Sequence, residues 1–275
     1  MGLYTIVQNK VQNFIRLIFA HSLTIVNGSV LVMEYPKSGG TWLSQLIAAY
    51  FDLPLPRNTM PSLRKSVVHG HYLPNNLFLR NKPLVFLIRD GRDVMVSLYY
   101  HQLIWHEKNK LKPKDVLYHR ANVPFDDYDQ VEKNMAAFIQ YTFQHQPSVF
   151  QHFTYMGNWY EYNLAWLKAK ERSNDIHFVR YEDLLNQPFE TLSNLFQIGF
   201  GQRKTDEKKL KMVIERFSFK NQTKRRQGEE NKSSFLRKGI HGDWKNYFGA
   251  EEKQLFKSYT KDLLVKFGYE ENMDW

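Results

Sequence analysis

The chain of 275 residues contains no cysteine. This absence excludes disulfide bonds, thiolate zinc sites and a cysteine nucleophile, and it fits a reducing, cytoplasmic location. Acidic residues are fewer than basic ones, with 28 Asp and Glu against 38 Lys and Arg and a formal net charge of +10. Such a balance suits an anionic ligand, a nucleic acid or an acidic membrane surface, but a well-solvated basic surface explains it equally well. The charge alone therefore selects no function.

The first thirty residues lack an apolar run that could span a bilayer, because Arg16 and His21 interrupt the stretch 14–26. No small-residue cleavage site follows that stretch, so we expect no signal peptide. Apolar residues instead recur at helical spacing at Val7, Val11, Phe14 and Ile18. This pattern predicts an amphipathic helical segment within residues 1–28, which either packs on its own domain or makes peripheral contact with a membrane.

The remaining composition is that of a folded protein. Hydrophobic residues make up 43% of the chain and aromatic residues 15%, which is ample for a large core. There is no internal repeat and no linker, so we expect residues 1–275 to form a single domain. A polar, basic stretch at 220–245 is predicted to be a mobile segment within it.

The stretch 29–42 contains the first candidate site. An apolar, β-branched strand at 29–33 is followed by a turn with Lys37, Ser38, Gly39 and Gly40, and helical spacing begins at about Thr41. Glycines allow a tight turn and close approach of a ligand, and the amides at a helix start bind anions. The usual phosphate loop has the order Gly-Lys-Ser/Thr, which differs. By pattern alone the stretch is either an anion pocket or an ordinary strand-to-helix turn.

A second strand-helix unit supplies another basic loop. The apolar run 83–88 predicts a buried parallel strand, and Arg-Asp-Gly-Arg-Asp at 89–93 leads into a helix. Right-handed crossovers bring the loops after parallel strands to one edge of the sheet, so Lys37 and Arg89 should lie close together. A salt bridge from Arg89 to Asp90 or Asp93 is the structural alternative for this arginine.

Further elements follow from hydrophobic periodicity. The sequence predicts short strands at 67–74 and 176–180 and helices at 131–141, 156–170, 189–200, 206–217 and 251–267. It predicts irregular loops at 51–62, 108–128 and 220–238.

These motifs, taken together, resemble a known family. Tyr-Pro-Lys-Ser-Gly-Gly-Thr-Trp at 35–42 resembles the 5′-phosphosulfate loop of the cytosolic-type sulfotransferases, including bacterial members, which use 3′-phosphoadenosine 5′-phosphosulfate (PAPS). The family's common form has Thr where this chain has Gly40. The stretch 89–97 is similar to the family's 3′-phosphate motif, and 235–245 is similar to its carboxyl-terminal signature. The resemblance covers residue 34 to about 247 and implies a single α/β domain, a central parallel sheet flanked by helices, with the phosphate-loop-NTPase-like sulfotransferase fold.

The resemblance also implies which residues bind PAPS and its product adenosine 3′,5′-bisphosphate (PAP). They include the loop, the 3′-phosphate contacts, residues near the base and the late basic segment. These candidates are Lys37, Ser38, Gly39, Gly40, Thr41, Trp42, Arg89, Ser97, Tyr181, Ser218, Phe219, Leu236, Arg237, Lys238 and Gly239. Phe217 stands beside Ser218 in the part that packs the base. No acidic cluster with metal-ligand spacing accompanies the loop, so we expect no metal requirement.

Catalysis is assigned to His71 and Lys37. His71 lies in a stretch similar to the family's Lys-Thr-His-Leu-Pro, whose histidine takes the proton of the acceptor hydroxyl, and imidazole titrates near neutrality. Lys37 would stabilise the leaving group. A lone histidine is more often structural, and His69 is the rival. Expected acceptor contacts are His69, Trp105 and Tyr155, for a phenol, steroid-like ring, lipid or sugar that bears a hydroxyl.

Two other classes compete with this interpretation. A phosphate-loop kinase would need the Gly-Lys-Ser/Thr order and a magnesium carboxylate, and a nucleic-acid binder would need a recognition motif. The sequence shows neither, so no nucleic-acid partner is expected. The family's dimer motif is degenerate here, with Lys245, Gly249, Ala250 and Gln254 at its positions, which leaves the oligomeric state open.

Overall fold

The structure, a computed structural model, describes residues 28–56, 64–74, 83–145 and 156–275. The amphipathic helix predicted near the amino terminus and the candidate Tyr155 lie outside the described residues. The chain divides into two compact units. The described residues of the first unit are 28–56, 64–74, 83–88, 156 and 162–217, and those of the second are 89–145, 157–161 and 218–275. The prediction of one domain over the whole chain stays a prediction.

The first unit is built on a parallel sheet of four described strands. They are β1 (Val30–Glu34), β2 (Val67–Gly70), β3 (Leu84–Ile88) and β4 (Ile176–Arg180). Their spatial order is β2-β1-β3-β4, so β1 pairs with both β2 and β3. Every residue of β1 and β3 is buried, as the uninterrupted apolar runs require of strands covered on both faces. The predicted strands are confirmed, and β1 and β3 end side by side at the same edge.

Helices make up most of the other residues that the structure describes. In order, the described helices are α1 (Gly40–Tyr50), α2 (Gly91–Tyr99), α3 (His106–Lys108), α4 (Pro113–Asn122), α5 (Val131–Gln144), α6 (Trp159–Arg172), α7 (Tyr181–Asn186), α8 (Pro188–Phe200), α9 (Glu207–Arg216), α10 (Phe219–Thr223), α11 (Ala250–Thr260) and α12 (Leu263–Lys266). A π-helical turn (Tyr100–Trp105) follows α2, and a 3₁₀ turn (Asp243–Asn246) precedes α11.

Each unit has its own core. In the first unit, aliphatic residues of the strands and of α1 pack with Phe196 of α8, whose ring stacks on Tyr50 at 4.5 Å between centroids. In the second unit, the fully buried rings of Trp159 and Phe256 lie against Gly91, where an added Cβ would approach Phe256 within 2.7 Å. A glycine at the start of α2 is therefore needed for the two rings to pack there.

Three sequence predictions are wrong in detail. The stretch 108–128 was expected to be irregular but contains α4, which begins with Pro113 at its first turn, a position that tolerates proline. The stretch 220–238 was expected to be loop, yet its first residues belong to α10. The final helix is broken into α11 and α12 because Lys261 adopts a φ of 51°, outside the helical region.

The structure also bears on the membrane question. Among the residues it describes, none of the helices is long and apolar enough to cross a bilayer. The membrane contact predicted for the amino-terminal helix is untouched by this finding, because that helix lies outside the described residues.

Candidate active site

The loop between β1 and α1 has the conformation that an anion site needs. Lys37 has a φ of 73° and Gly39 a φ of 104°, so the chain turns through the left-handed region twice. For a lysine that conformation is strained, and such strain concentrates at functional sites. Ser38 is buried, and its N–H donates to the Tyr35 carbonyl at 3.1 Å. The N-cap residue of α1, Gly39, has no side chain to cap the helix. The N–H of Gly40 is bonded to the carboxylate of Glu34, so it is not among the amides of this helix start that could bind an anion.

Three residues predicted to contact the nucleotide base lie together in the first unit. A Cβ on Gly39 would lie 2.7 Å from the ring of Tyr181, so only glycine allows this close approach. The rings of Trp42 and Tyr181 meet edge to face at 6.2 Å, and the indole N–H of Trp42 donates to the Phe217 carbonyl at 2.9 Å. The loop and the candidate base contacts therefore form one assembly.

Sequence reasoning missed Glu34, the last residue of β1. Its carboxylate is buried at 3% exposure, accepts the N–H of Gly40, and accepts a hydrogen bond from His69 Nε2 at 2.8 Å. Since a carboxylate only accepts, His69 donates from Nε2. The signal available in the sequence was a charged residue at the end of an apolar strand, directly before the loop.

His71 is held by the same residue through the main chain. Its Nδ1 lies 2.9 Å from the carbonyl oxygen of Glu34. A carbonyl accepts, so Nδ1 carries the proton and Nε2 keeps its lone pair. The next carbonyl, that of Tyr72, accepts from Tyr162 Oη at 3.1 Å and from Trp166 Nε1 at 3.2 Å. The His71 ring and the main chain directly after it are thus both held by hydrogen bonds within the first unit.

The electrostatics of this cluster favour a neutral His71 beside an ionised Glu34. Burial lowers the pKa of His71, against the opposing charge of Glu34. Burial alone would raise the pKa of Glu34, but the hydrogen bond and charge of His69, with further contributions from His71 and Gly40, make its net pKa lower than usual. A neutral imidazole with a free Nε2 is the form that a general base requires.

In the second unit, Arg89 contacts the basic stretch 220–245, called the late segment below. Its Nη2 donates to the Ile240 carbonyl at 3.2 Å and lies 3.9 Å from the carboxylate of Asp93. Asp93 accepts the N–H groups of Gly242, at 2.6 Å, and Trp244, at 2.9 Å, and burial raises its pKa. The salt bridge considered as the structural alternative for Arg89 is therefore present, although it is long. Two stretches predicted to act on the 3′-phosphate meet here.

Acidic partners already hold the basic residues of the late segment. Arg237 donates to both Glu230 and Asp243, and its guanidinium lies 4.3 Å over the Tyr100 ring. Lys238 donates to Asp243 at 2.8 Å. The carbonyls of Leu236 and Arg237 both accept from Arg225. Internal ion pairs hold this segment. A phosphate that binds Arg237 or Lys238 would therefore have to replace Asp243 or Glu230 as their partner.

The other predicted residues are placed as follows. A Cβ on Gly239 would lie within 2.7 Å of three ring carbons of Phe219. The hydroxyl of Ser218 accepts the N–H of Asn221 at 3.3 Å and so caps α10. Ser97 is partly buried on α2, and Thr41 lies in the first turn of α1. Trp105 stacks on His101 at 4.8 Å and meets Phe235 at 5.6 Å in the second unit.

One cluster of side chains beside the loop carries atoms of the kind that bind metal ions. Within the described parts of the chain, one group of side chains, Glu34, His69 and His71, offers donor atoms that all lie within 4.8 Å of one another. Imidazole and carboxylate suit zinc. In this arrangement both carboxylate oxygens of Glu34 and the Nε2 of His69 are already used in hydrogen bonds. The expectation of no metal requirement stays a prediction.

Fold and site define a class, an α/β transferase with a basic strand-to-helix loop beside an oriented histidine. The chain matches the model of the sulfotransferase domain family over residues 53–268 and belongs to that family. The match begins after the loop 35–42, so the role of that loop rests on its own residues and geometry.

Named relatives agree with the family. Sulfotransferase 1B1 of Canis lupus familiaris is 26% identical, over 85% of this chain and 83% of the relative. The flavonol 4′-sulfotransferase of Flaveria chlorifolia is also 26% identical, over 87% of this chain and 80% of the relative. Mouse sulfotransferase SULT7A1, solved with PAP, superposes with a TM-score of 0.62 at 17% identity, covering 91% of both chains. Retinol dehydratase, solved with retinol and PAP, gives a TM-score of 0.57 at 18% identity, over 90% of this chain and 85% of that one. These comparisons confirm the predicted fold and activity, a PAPS-dependent sulfotransferase.

Proposed function

We propose that this sulfotransferase moves the sulfuryl group of PAPS to a hydroxyl of a small-molecule, lipid or glycan acceptor, with His71 as general base and Lys37 at the leaving group. The observation that carries the proposal is the hydrogen bond from His71 Nδ1 to the Glu34 carbonyl, which leaves Nε2 free to take a proton. The lowered pKa of His71 supports it, because the imidazole is then neutral at physiological pH.

The reaction divides between two sets of residues. PAPS supplies an activated sulfuryl group on a phosphate leaving group. His71 Nε2 takes the proton of the acceptor hydroxyl. At the same time the hydroxyl oxygen forms a bond to sulfur, and the bond between sulfur and the phosphate oxygen of PAPS breaks. Lys37 and the start of α1 stabilise the negative charge that grows on that phosphate oxygen. As in phosphoryl transfer, positioning and electrostatics supply most of the rate.

The remaining nucleotide contacts are assigned by the same resemblance. Trp42, Tyr181 and Phe219 would pack the base. Arg89, Ser97 and the segment 236–239 would hold the 3′-phosphate, to which an arginine fork is well suited. The close approach of Gly39 to Tyr181, and the junction of Arg89 with Ile240, support this division.

The acceptor is proposed only by class. Two solved neighbours were crystallised with retinol or androsterone, both hydroxyl-bearing ring compounds. The aromatic cluster of His101, Trp105 and Phe235 supports an apolar acceptor of that kind. Cytoplasmic location, peripheral membrane contact through the amino-terminal helix and independence of metal are further proposals. Unchanged activity after dialysis against EDTA would support the last.

The deciding experiment measures transfer from labelled PAPS to a panel of phenols, steroids, lipids and sugars. Wild-type protein should label at least one acceptor. PAP at a hundred times its dissociation constant should stabilise the fold by about 2.7 kcal/mol, with smaller effects from ATP plus magnesium or from DNA. Lys37→Ala should abolish transfer, and Lys211→Ala, an exposed lysine on α9, should not. Stabilisation by ATP or DNA but not by PAP would refute the proposal.

A further inference from the structure

Glu34 touches three parts of the proposed site. Its carboxylate accepts the N–H of Gly40 at the start of α1 and the Nε2–H of His69, the third residue of β2. Its carbonyl accepts the Nδ1–H of His71. All the hydrogen-bond partners of Glu34 named here are candidate site residues. Burying a carboxylate costs free energy unless its partners compensate it, and here those partners belong to the proposed site.

The space at Gly40 is fitted to this carboxylate. A Cβ at position 40 would lie 2.5 Å from Glu34 Cδ and 2.7 Å from His69 Nε2. The backbone of Gly40 does not lie in the positive-φ region, so its glycine is not explained by conformation. The pair of Glu34 and His69 occupies the volume into which any side chain at position 40 would project. Gly40, Glu34 and His69 therefore form one interdependent group.

The charge of Glu34 also has to be compensated at this place. The loop that begins at the next residue is built to bind an anion, and a bare carboxylate beside it would repel that anion. Each carboxylate oxygen instead accepts one hydrogen bond, from Gly40 or from His69. His69 thus shields the loop from the carboxylate, while the carboxylate fixes the His69 ring, which meets the His71 ring edge to face at 5.2 Å.

We propose that Glu34 is a positioning residue of sulfuryl transfer, which aligns the anion loop, His69 and the base His71 with one another. The proposal rests on the proposed function of His71 and Lys37. Glu34 itself is buried and acts through its partners. It governs the rate of transfer more than the binding of the nucleotide, because the nucleotide contacts lie on other residues.

The first test replaces the charge and keeps the shape. Glu34→Gln should lower kcat by about 10²-fold, because it removes the carboxylate that fixes Gly40 and the His69 ring beside His71, and a shift of about 1 Å at a catalytic site can cost that much. The dissociation constant of PAP, measured by calorimetry, should stay within about threefold of wild type, and so should KM for PAPS. A purely structural residue would lower affinity, melting temperature and kcat together. Glu171→Gln, an exposed glutamate on α6, is the matched control.

The second test uses the space at position 40 and leaves Glu34 intact. Gly40→Ala should weaken PAP binding and slow transfer, because the overlap of its methyl group with the Glu34 carboxylate shifts the backbone at the start of α1, which is a proposed nucleotide contact. In the double variant Glu34→Ala/Gly40→Ala the methyl group enters the vacated volume, so PAP affinity should return to that of Glu34→Ala while kcat stays low. Gly199→Ala, another helical glycine whose Cβ would make close side-chain contacts, is the control.

The outcomes separate the two levels of the argument. A wild-type protein that transfers sulfuryl groups, with Glu34→Gln within twofold of its kcat, overturns the role of Glu34 alone. A Glu34→Gln variant that loses PAP affinity and melting temperature together with kcat also overturns it. If the fold-losses of PAP affinity in Glu34→Ala and Gly40→Ala simply multiply in the double variant, the two residues do not share one volume and that part of the proposal is overturned. A wild-type protein that neither binds PAP nor transfers sulfuryl groups overturns the proposed function and this role with it.

Discussion

Asp93 Oδ1 accepts a hydrogen bond of 2.9 Å from the main-chain N–H of Trp244, which lies 151 residues later in the chain. The other carboxylate oxygen accepts the N–H of Gly242 and lies 3.9 Å from Arg89. A single buried carboxylate therefore fixes the late segment to the first helix of the second unit. Its position makes the late segment depend on a residue of the motif at 89–97.

Replacing this carboxylate should loosen the late segment. Asp93→Asn leaves one acceptor oxygen for two N–H donors and turns an amide NH₂ toward the other, so the unfolding free energy should fall by about 1–3 kcal/mol. PAP affinity should fall as well, since the segment that carries Ile240, the main-chain partner of Arg89, is no longer held in place. Urea denaturation and calorimetry measure the two effects. Asp115→Asn, at an exposed aspartate, should change neither, and an unchanged Asp93 variant would show that the two N–H contacts are dispensable.

A second prediction concerns the contact of Gly239 with Phe219. Gly239→Ala should destabilise the fold by about 1–3 kcal/mol, because the added methyl group would overlap the Phe219 ring. It should also weaken PAP binding if Phe219 packs the base. Gly228→Ala is a close control, since Gly228 also has a positive φ, 91° against 65°, but nothing lies within 4 Å of its added Cβ. Equal losses in the two variants, measured by urea unfolding, would assign the effect to backbone strain alone.

The carboxyl terminus supplies a third prediction. The buried guanidinium of Arg92 bonds to Asp90 and Glu270, and it lies 3.9 Å from the Trp244 ring and 4.6 Å from the Trp275 ring. Glu270→Gln keeps the shape but removes one charge partner, so the unfolding free energy should fall by about 1–3 kcal/mol. Glu271→Gln, at the exposed neighbouring residue, should have little effect. The same loss in both variants, in a chemical denaturation series, would contradict a specific role for the Arg92 pair.

The sequence predicted the parts of this protein that depend on local pattern. The strands β1, β3 and β4 and the loop containing Lys37 follow from apolar runs, glycines and helical spacing, all of which lie within about ten residues. Glu34 and its contact with His69 escaped because that contact depends on how strands pair. Val32 of β1 lies opposite His69 of β2, 37 residues later, and no short pattern encodes that register. Gly40 stands where the family commonly has threonine, and the space for a Cβ there is taken by Glu34 of β1 and His69 of β2.

The helix boundaries that were wrong also have a physical cause. α4 buries only Val116, so its sequence carries almost no apolar periodicity. The break at Lys261 has no glycine or proline to announce it, because a lysine takes the positive φ itself. In both places the local sequence carries no signal that predicts the backbone conformation.

The last prediction is the pH dependence that follows from His71. Burial lowers the pKa of His71 below its ordinary value of 6.5. If Nε2 takes the proton of the acceptor, the acid limb of kcat/KM should lie below pH 6.5, and His71→Asn should lose transfer at every pH.

The stability of the fold depends on the same proton. Below pH 6.5 the unfolded chain binds a proton at this histidine while the folded chain stays neutral down to its lower pKa, so the unfolding free energy falls as pH falls through that window. The slope contributed is at most about 1.4 kcal/mol per pH unit. In urea titrations His71→Asn should lose this slope, and His145→Asn, an exposed histidine, should keep it. An acid limb at or above pH 6.5, or an unchanged slope in His71→Asn, would mean that another group titrates, and the base would have to be sought elsewhere.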